Sequence, residues 1–410
     1  MTTTESATPV LTSSDEALAT ARALAAEIAA GAVERELGGV WPEEQLRQVG
    51  RSGLLGITVP VEHGGPGLSH ATAVEVLRIL SQADSAVGQL LLSHFVLAHA
   101  IRGLGDNDPA PRLYADVLAG AQLGNATVER GTRQSVDRLT TVARQQDGIW
   151  VLNGTKYYAT GTLGATWIAV SARIPDTKPA HAATVFVHPE ASGVTLNLDR
   201  WSSFGQRGTA SGEVVFDHVA VDDAFVIDEG PDPDPVTAPP AVLGAFDQAL
   251  HAAVDIGIAR AALEDGAKFV TTRSRPWFEA NVDSAGEEPH VVRRFGELTA
   301  RLYALEALLA HGATLIDDAL AEPELTREAA AAASLQVAAA KALAQEFAVE
   351  IASGIFELAG ASATDRGHAL DRHWRNVRVH SLHDPARWKY VHLGNHTLHG
   401  TKPPRLGVLL

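Results

Sequence analysis

Gln145-Gln146-Asp147-Gly148-Ile149-Trp150-Val151-Leu152-Asn153-Gly154-Thr155-Lys156-Tyr157-Tyr158-Ala159 decides the fold of this chain. The residues before it read mostly with a helical period. Here the period shortens, and β-branched and aromatic residues gather beside Asp147-Gly148 and Asn153-Gly154, the dipeptides that tight hairpins favour. Similar short runs lie at 125–130, 139–144, 167–172, 184–187 and 213–219. Together they predict an antiparallel β-domain over the middle third of the chain. It ends in the stiff acidic linker Asp228-Glu229-Gly230-Pro231-Asp232-Pro233-Asp234-Pro235.

Working outward, helical patterns return on both sides. Residues 1–14 read as a disordered polar arm, and a helix is expected from Ser14 to about Leu37, with Leu18, Ala21, Leu24 and Ile28 on one face. Trp41-Pro42-Glu43-Glu44 opens another helix with proline in its first turn. The glycine-proline loop 59–67 lacks the spacing of a phosphate cradle. Further helices are expected over 70–82, 84–104 and 108–120, and after the linker over 241–273, 290–319 and 325–360. The last of these is rich in alanine, which permits close helix approach in a bundle or an oligomer core. The expected domains are therefore 1–122 (helical), 123–235 (β) and 236–410 (helical), an α+β chain.

Composition narrows the function. With 410 residues, 46% of them hydrophobic, the chain has material for more than one core, and its charge of −16 argues against a nucleic-acid partner. No apolar run approaches a membrane span and no signal-peptide pattern opens the chain, so no membrane association and a cytoplasmic location are expected. The absence of cysteine removes disulfides, thiolate nucleophiles and iron–sulfur ligation.

Chemistry concentrates near the C-terminal end. In Asp371-Arg372-His373-Trp374-Arg375-Asn376-Val377-Arg378-Val379-His380-Ser381-Leu382-His383-Asp384-Pro385, Trp374, Val377 and Leu382 are expected to anchor a helix. Arg375, Arg378 and His383 could then point into a pocket. The proline breaks the helix beside His383, and imidazole titrates near neutrality, which suits proton chemistry. The competing reading is a surface helix capped by basic residues. His392, His396 and His399 share a helical face, but without the HExxH pattern no metal is expected. The stretch from Trp201 to Gly212, rich in glycine and hydroxyl groups, reads either as a loop or as a site. Thr160-Gly161-Thr162 offers hydroxyl and N–H donors after a strand.

Four motifs carry a resemblance to the acyl-CoA dehydrogenase superfamily over essentially the whole chain. They are Val59-Pro60 with Gly64-Gly65, Asn153-Gly154-Thr155-Lys156, Gly205-Gln206-Arg207-Gly208-Thr209, and Phe356-Glu357-Leu358-Ala359-Gly360-Ala361. Within it the sequence most resembles the dibenzothiophene monooxygenase branch, through Gly124-Asn125-Ala126, Trp201, Arg275-Pro276-Trp277, Trp374-Arg375-Asn376-Val377-Arg378 and Leu382-His383-Asp384-Pro385. The resemblance implies an N-terminal helical domain, a middle antiparallel β-domain and a C-terminal four-helix bundle, assembled as a homotetramer. It also implies a two-component monooxygenase that takes reduced FMN, with FAD as the alternative, from a separate flavin reductase by diffusible transfer. A flavin C4a-hydroperoxide would then oxygenate a small molecule with O2, foremost an organosulfur compound. Amine N-hydroxylation and aromatic hydroxylation on the same fold are alternatives, as is an FAD-dependent acyl-CoA dehydrogenase with Asp247 as base.

Carried over residue by residue, the resemblance places the flavin against Asn125, Ala126, Thr127, Val128, Glu129, Arg130, Lys156, Tyr157, Tyr158, Ala159, Thr160, Trp201, Arg275, Ala361, Ser362 and His383. Arg275 would grip the FMN phosphate from a neighbouring subunit. His383, Asn125, Thr160, Ser93 and His94 are the implied catalytic residues. The chain departs from the branch at Ser93, where a tyrosine is usual, at Gln89, in place of a histidine, and at Ser362, in place of an arginine.

Overall fold

Residues 7–105, 109–131, 136–234 and 236–405 are described by the computed structural model. The first six residues of the expected polar arm lie outside them. The rest of that arm is laid on the protein: Leu11 is buried, and the Thr8 hydroxyl donates to the Ala119 carbonyl. Ser13 then caps α1 (Ser14–Ala29) by accepting from the Glu16 N–H. The expected single helix to Leu37 is broken at Gly31, whose φ of 80° starts α2 (Ala32–Gly38) in a new direction. Next come α3 (Glu43–Arg51), α4 (His70–Ala83), α5 (Ser85–Ile101) and α6 (Ala110–Leu118). Asp84 separates α4 from α5, capping the latter through the N–H groups of Ala86 and Val87. Ser85–Leu104 is long and apolar enough to cross a membrane, contrary to the reading from composition. Val87, Leu90, Leu91 and Phe95 are instead part of the protein core.

The middle domain holds β1 (Leu123–Ala126), β2 (Val142–Gln146), β3 (Ile149–Lys156), β4 (Trp167–Ile174), β5 (His181–Val187), β6 (Val194–Asn197), β7 (Glu213–Val221) and β8 (Val226–Gly230). Their order is β6-β7-β3-β2-β4-β5-β8, with β1 also on β4. Asp147-Gly148 makes the two-residue turn between β2 and β3, both residues at positive φ, as expected. Asn153-Gly154 does not turn the chain. It lies inside β3 at a shift of register against β7, and the Asn153 side-chain oxygen accepts from the His218 N–H. The sheet is mixed, because β1 runs parallel to β4 and β2 meets β4 in parallel at Val142 and Arg173. The acidic linker also begins later than expected, since its first residues pair with β5 as the end of β8.

Among the described residues after the linker, five α-helices follow: α7 (Leu243–Thr272), α8 (Pro289–Ala321), α9 (Arg327–Ala359), α10 (Asp371–His380) and α11 (Arg387–His399). The first three, with the α10–α11 pair broken at Asp384-Pro385, form the C-terminal bundle. Its centre is α7, which packs on α4 and α5 on one side and on α8, α9 and α10 on the other. Small residues allow this: a Cβ on Gly257 would stand 2.6 Å from the Arg78 carbonyl oxygen of α4. Polar groups on α7 are consequently shut between two layers, where they must find partners in the protein.

Candidate active site

All three domains meet at the start of α10. The Asn376 side-chain oxygen accepts from the Gln206 N–H at 2.6 Å, while its amide donates to the Ser85 hydroxyl at 2.8 Å and to Glu36 at 3.3 Å. Arg375 pairs with Glu36 at 2.6 Å and donates to the Phe204 carbonyl at 3.0 Å. Trp374 stacks on Phe204. Arg375 therefore serves as a domain joint and does not face a pocket, which corrects the expectation. Leu382, expected as an anchor, is 55% exposed; Val377 alone of the three is fully buried.

The joint aligns a polar rim on the middle domain. Trp201 donates its indole N–H to the Gln206 carbonyl at 2.9 Å, which fixes the ring. Tyr158 stands edge-on to it, 58% exposed and at a φ of +52°, a strained setting for a bulky side chain. The Thr160 hydroxyl bonds Ser211 at 2.8 Å, and Ser211 bonds Thr209 at 2.9 Å. The Thr160 carbonyl accepts from the Asn125 N–H at 3.3 Å and from the Ser93 hydroxyl of α5 at 3.5 Å. Gln89 lies one turn before Ser93 on the same helix face.

Buried side-chain oxygens of Gln89 and Gln206, and the Gln206 amide nitrogen, have no hydrogen-bond partner among the described residues. Unmet polar atoms on the helix that carries Ser93 and on the loop that carries Trp201, together with the exposed Tyr158 ring, fit a planar ligand with hydrogen-bonding edges, such as a flavin.

Other expected flavin residues have different employment. Lys156 and Glu129 form a buried pair at 2.9 Å; Glu129 also accepts from Thr140 and Thr141, and Lys156 donates to the Thr127 carbonyl. Arg130 lies 4.3 Å over the Tyr157 ring, and the Tyr157 N–H donates to the Val128 carbonyl at 2.8 Å. Ala126 and Ala159 belong to the sheet core. These residues shape the rim through the backbone. His94 is withdrawn from the expected catalytic set: it is fully buried, its Nε2–H donates to the Leu55 carbonyl, and its Nδ1 accepts from the Leu123 N–H. Burial pulls its pKa down to about 4. It pins α5 to β1.

Arg275, Ala361 and Ser362 gather far from His383. Arg275 is exposed just beyond α7, and the Ser274 hydroxyl ties its segment to the Ala359 carbonyl, beside Ala361 and Ser362. His383 packs instead on His251, twenty-one residues before the end of α7. At 1.5 Å per residue that distance is roughly 30 Å.

Around His383 lies a polar cluster of which the sequence shows Asp247, and His380 and Asp384 in the last helical stretch, but not the partners His251, Asp255, Lys341 and Lys389. The His383 ring stacks on His251 with centroids 3.9 Å apart. His251 Nδ1 lies 3.1 Å from His380 Nε2, His380 Nδ1 lies 2.7 Å from Asp255, and Asp255 meets the Lys341 ammonium at 2.6 Å. His251 Nε2 faces Asp247 at 3.8 Å, and Gln248 donates to Asp247 at 3.0 Å. Asp384, bonded to Lys389 at 2.7 Å, lies 3.7 Å from His383 Nδ1. Burial favours the neutral form of Asp384, but His383, Lys341 and Lys389 outweigh it and hold its carboxyl well below the usual range. His383 alone of this cluster is substantially exposed, its side chain at 46%. The signal was present as Asp247, His251 and Asp255, four residues apart on one stripe of α7.

Burial pushes Asp247 up to about 6, with His383 and the Gln248 amide pulling the other way. The folded chain then keeps this proton to higher pH than the unfolded one, so stability falls as pH rises from about 4 to 6. Asp247→Asn removes that loss. Thermal melts should show the variant about 3 kcal/mol more stable than the parent at pH 8 and level with it near pH 4. An equal offset at both pH values would contradict the titration.

Comparison with known proteins follows the same three-part division. The acyl-CoA dehydrogenase N-terminal domain matches residues 13–121, the middle domain 125–219 and the C-terminal domain 249–388. A dibenzothiophene monooxygenase from Rhodococcus qingshengii is 34% identical over 406 residues, covering 95% of this chain and 94% of the relative. The probable FMNH2-dependent monooxygenase SfnC of Pseudomonas putida is 31% identical, covering 96% and 98%. The crystal structure of FMN-bound TdsC from Paenibacillus sp. A11-2 superposes with a TM-score of 0.88 at 30% identity, covering 96% of this chain and all of that one. With every domain matched in order and relatives aligned end to end, the chain belongs to the acyl-CoA dehydrogenase family, on its dibenzothiophene monooxygenase branch.

Proposed function

We propose that the chain is a two-component monooxygenase, taking FMNH2 from a separate flavin reductase and oxygenating the sulfur of a small organosulfur compound in the cytoplasm. Full-length relatives named for dibenzothiophene oxygenation and for FMNH2 dependence support it, as does a close structural neighbour that holds FMN. The observation that carries it is His383, a half-exposed imidazole at the edge of a buried polar cluster, where an acyl-CoA dehydrogenase needs an accessible carboxylate base. Asp247, the candidate for that base, is buried against Gln248 and His251.

When bound, reduced FMN supplies the two electrons that let one atom of O2 pass to sulfur and the other leave as water. Trp201 and Tyr158 give the planar ring an aromatic wall. Asn125, Thr160 and Ser93 offer hydrogen bonds at its edge, and His383 holds or gives a proton at its imidazole nitrogen. Leu90 and Leu91 of α5 help keep bulk water out of the core beneath. The assay supplies NADH, FMN, a flavin reductase and dibenzothiophene or a simpler sulfide under ¹⁸O2. One labelled oxygen per oxidation step is expected; reduction of a tightly held flavin by an acyl-CoA, with no labelled product, would overturn the proposal.

Arg275 completes the site from a neighbouring copy in a homotetramer built on twofold axes, where its planar fork matches a phosphate. The separation of Arg275 from His383 by roughly 30 Å along α7 supports this arrangement. Co-expressing His383→Ala with Arg275→Ala chains tests it. Each mixed pair then holds one site with both lesions and one with neither, so about a quarter of the sites should recover. No recovery in confirmed mixed assemblies would place both residues in the same chain's site.

A further inference from the structure

The cluster behind His383 contains more ionisable groups than proton transfer at one imidazole requires, and their geometry fixes where each proton sits. Lys341 is an ammonium with donors only, so it donates to Asp255 Oδ2. The other Asp255 oxygen faces His380 Nδ1 at 2.7 Å, and a carboxylate only accepts, so that nitrogen carries hydrogen. Lysine and aspartate already balance in charge inside the helix layer, where a third charge would stand uncompensated; His380 is therefore neutral and its Nε2 is bare. His251 must then donate from Nδ1 across the 3.1 Å contact, which leaves its own Nε2 bare toward Asp247. Burial pulls the basicity of both histidines below the ordinary value, in keeping with neutral rings.

We propose that Lys341, Asp255, His380 and His251 form a one-way chain of protons that holds His251 as a neutral ring protonated on Nδ1, and that this ring positions His383 for the oxygenation. The positioning role rests on the function proposed above; the proton arrangement does not. A cationic His251 would repel a proton arriving on His383, whose ring lies 3.9 Å above it. A neutral ring instead offers an electron-rich face to a cation. Asp247 and Asp384 add negative charge nearby, and Lys389 is engaged by Asp384. His383 is thus the member of the cluster left to take and release a proton. The four residues behind it are positioning residues, none of them placed against flavin or substrate.

Lys341→Met keeps the volume and removes the cation. Asp255 then draws a proton onto His380, which donates from Nε2 to His251 and forces its hydrogen from Nδ1 to Nε2. Imidazole ¹⁵N spectra of the flavin-free protein read this directly, with His251→Phe and His380→Phe assigning the signals. At positions 251 and 380 neutral Nδ1–H rings are expected in the parent between pH 6 and 8, and an Nε2–H ring at position 251 in Lys341→Met. Product formed per NADH should fall about tenfold in that variant, the low end of what removing an orienting partner costs a working histidine, with affinity for reduced FMN unchanged. A parent His251 protonated on Nε2 would overturn the proton chain, even if Lys341→Met fails to fold. A switched ring with unchanged coupling would overturn the positioning role. Because the spectra need neither flavin nor substrate, a parent that makes no oxygenated product would count against the proposed function while leaving the proton chain to its own test.

Discussion

His383→Ala is expected to cut oxygenated product about a hundredfold or more, the scale on which a positioned acid–base group acts. Folding should change little, because the side chain is half exposed and closes no core layer. Flavin uptake should change little as well, because the aromatic wall and the hydroxyl edge come from Tyr158, Trp201, Thr160 and Ser211. Reduced flavin still meets oxygen in the variant, so NADH consumption should continue and the missing product should appear as hydrogen peroxide. Asp247→Asn, which keeps shape and can still accept from Gln248, should stay within a few-fold of the parent. The reverse pattern, an active His383→Ala and a dead Asp247→Asn, would mean that a carboxylate base carries the reaction. A joint loss of product and peroxide would place His383 in flavin binding.

How much of this was legible depended on whether a residue's partner lies close in sequence. Asp147-Gly148 turned where expected, because a two-residue loop with both φ values positive is a local property. Asn153-Gly154 has the same local preference, but the pairing of β3 with β7 turned it into a bulge, and β7 lies sixty residues later. The strands β6 and β8 were missed because four or five residues, partly polar or acidic, become strands only against β7 and β5. Arg375 was misassigned for a similar reason: its partner Glu36 belongs to another domain. The break at His383-Asp384-Pro385 was readable because proline acts on its own neighbour. Lys341 was hidden in an alanine-rich helix, where nothing local marks a buried cation.

Glu129→Gln should be among the most destabilising single substitutions in the middle domain, at about 3–5 kcal/mol, the cost of breaking a buried pair from one side. Glu129 accepts from the Thr140 and Thr141 N–H groups, the Thr140 hydroxyl and the Lys156 ammonium. Burial opposes its ionisation, but the Thr140 N–H, the ammonium and the remaining donors prevail and bring its pKa down to about 2. Its stabilisation is thus present above the ordinary carboxylate pKa and lost as pH falls from about 4.5 toward 2. Removing the charge leaves Lys156, fully buried, with the Thr127 carbonyl and an amide oxygen in place of a carboxylate. Burial already holds Lys156 below the ordinary lysine pKa despite Glu129, so in the variant the ammonium should shed its proton more readily still. The unfolded chain would then bind the extra proton, and the variant's deficit should narrow as pH rises from 7 toward 10. Lys156→Met should cost less, because Glu129 keeps its threonine donors. The double variant should recover part of the loss, since neither charge is then stranded. Denaturant melts of the three variants across pH test this order; equal deficits that ignore pH would show that packing, not the charge pair, holds β3 to the segment after β1 that carries Thr127 and Glu129.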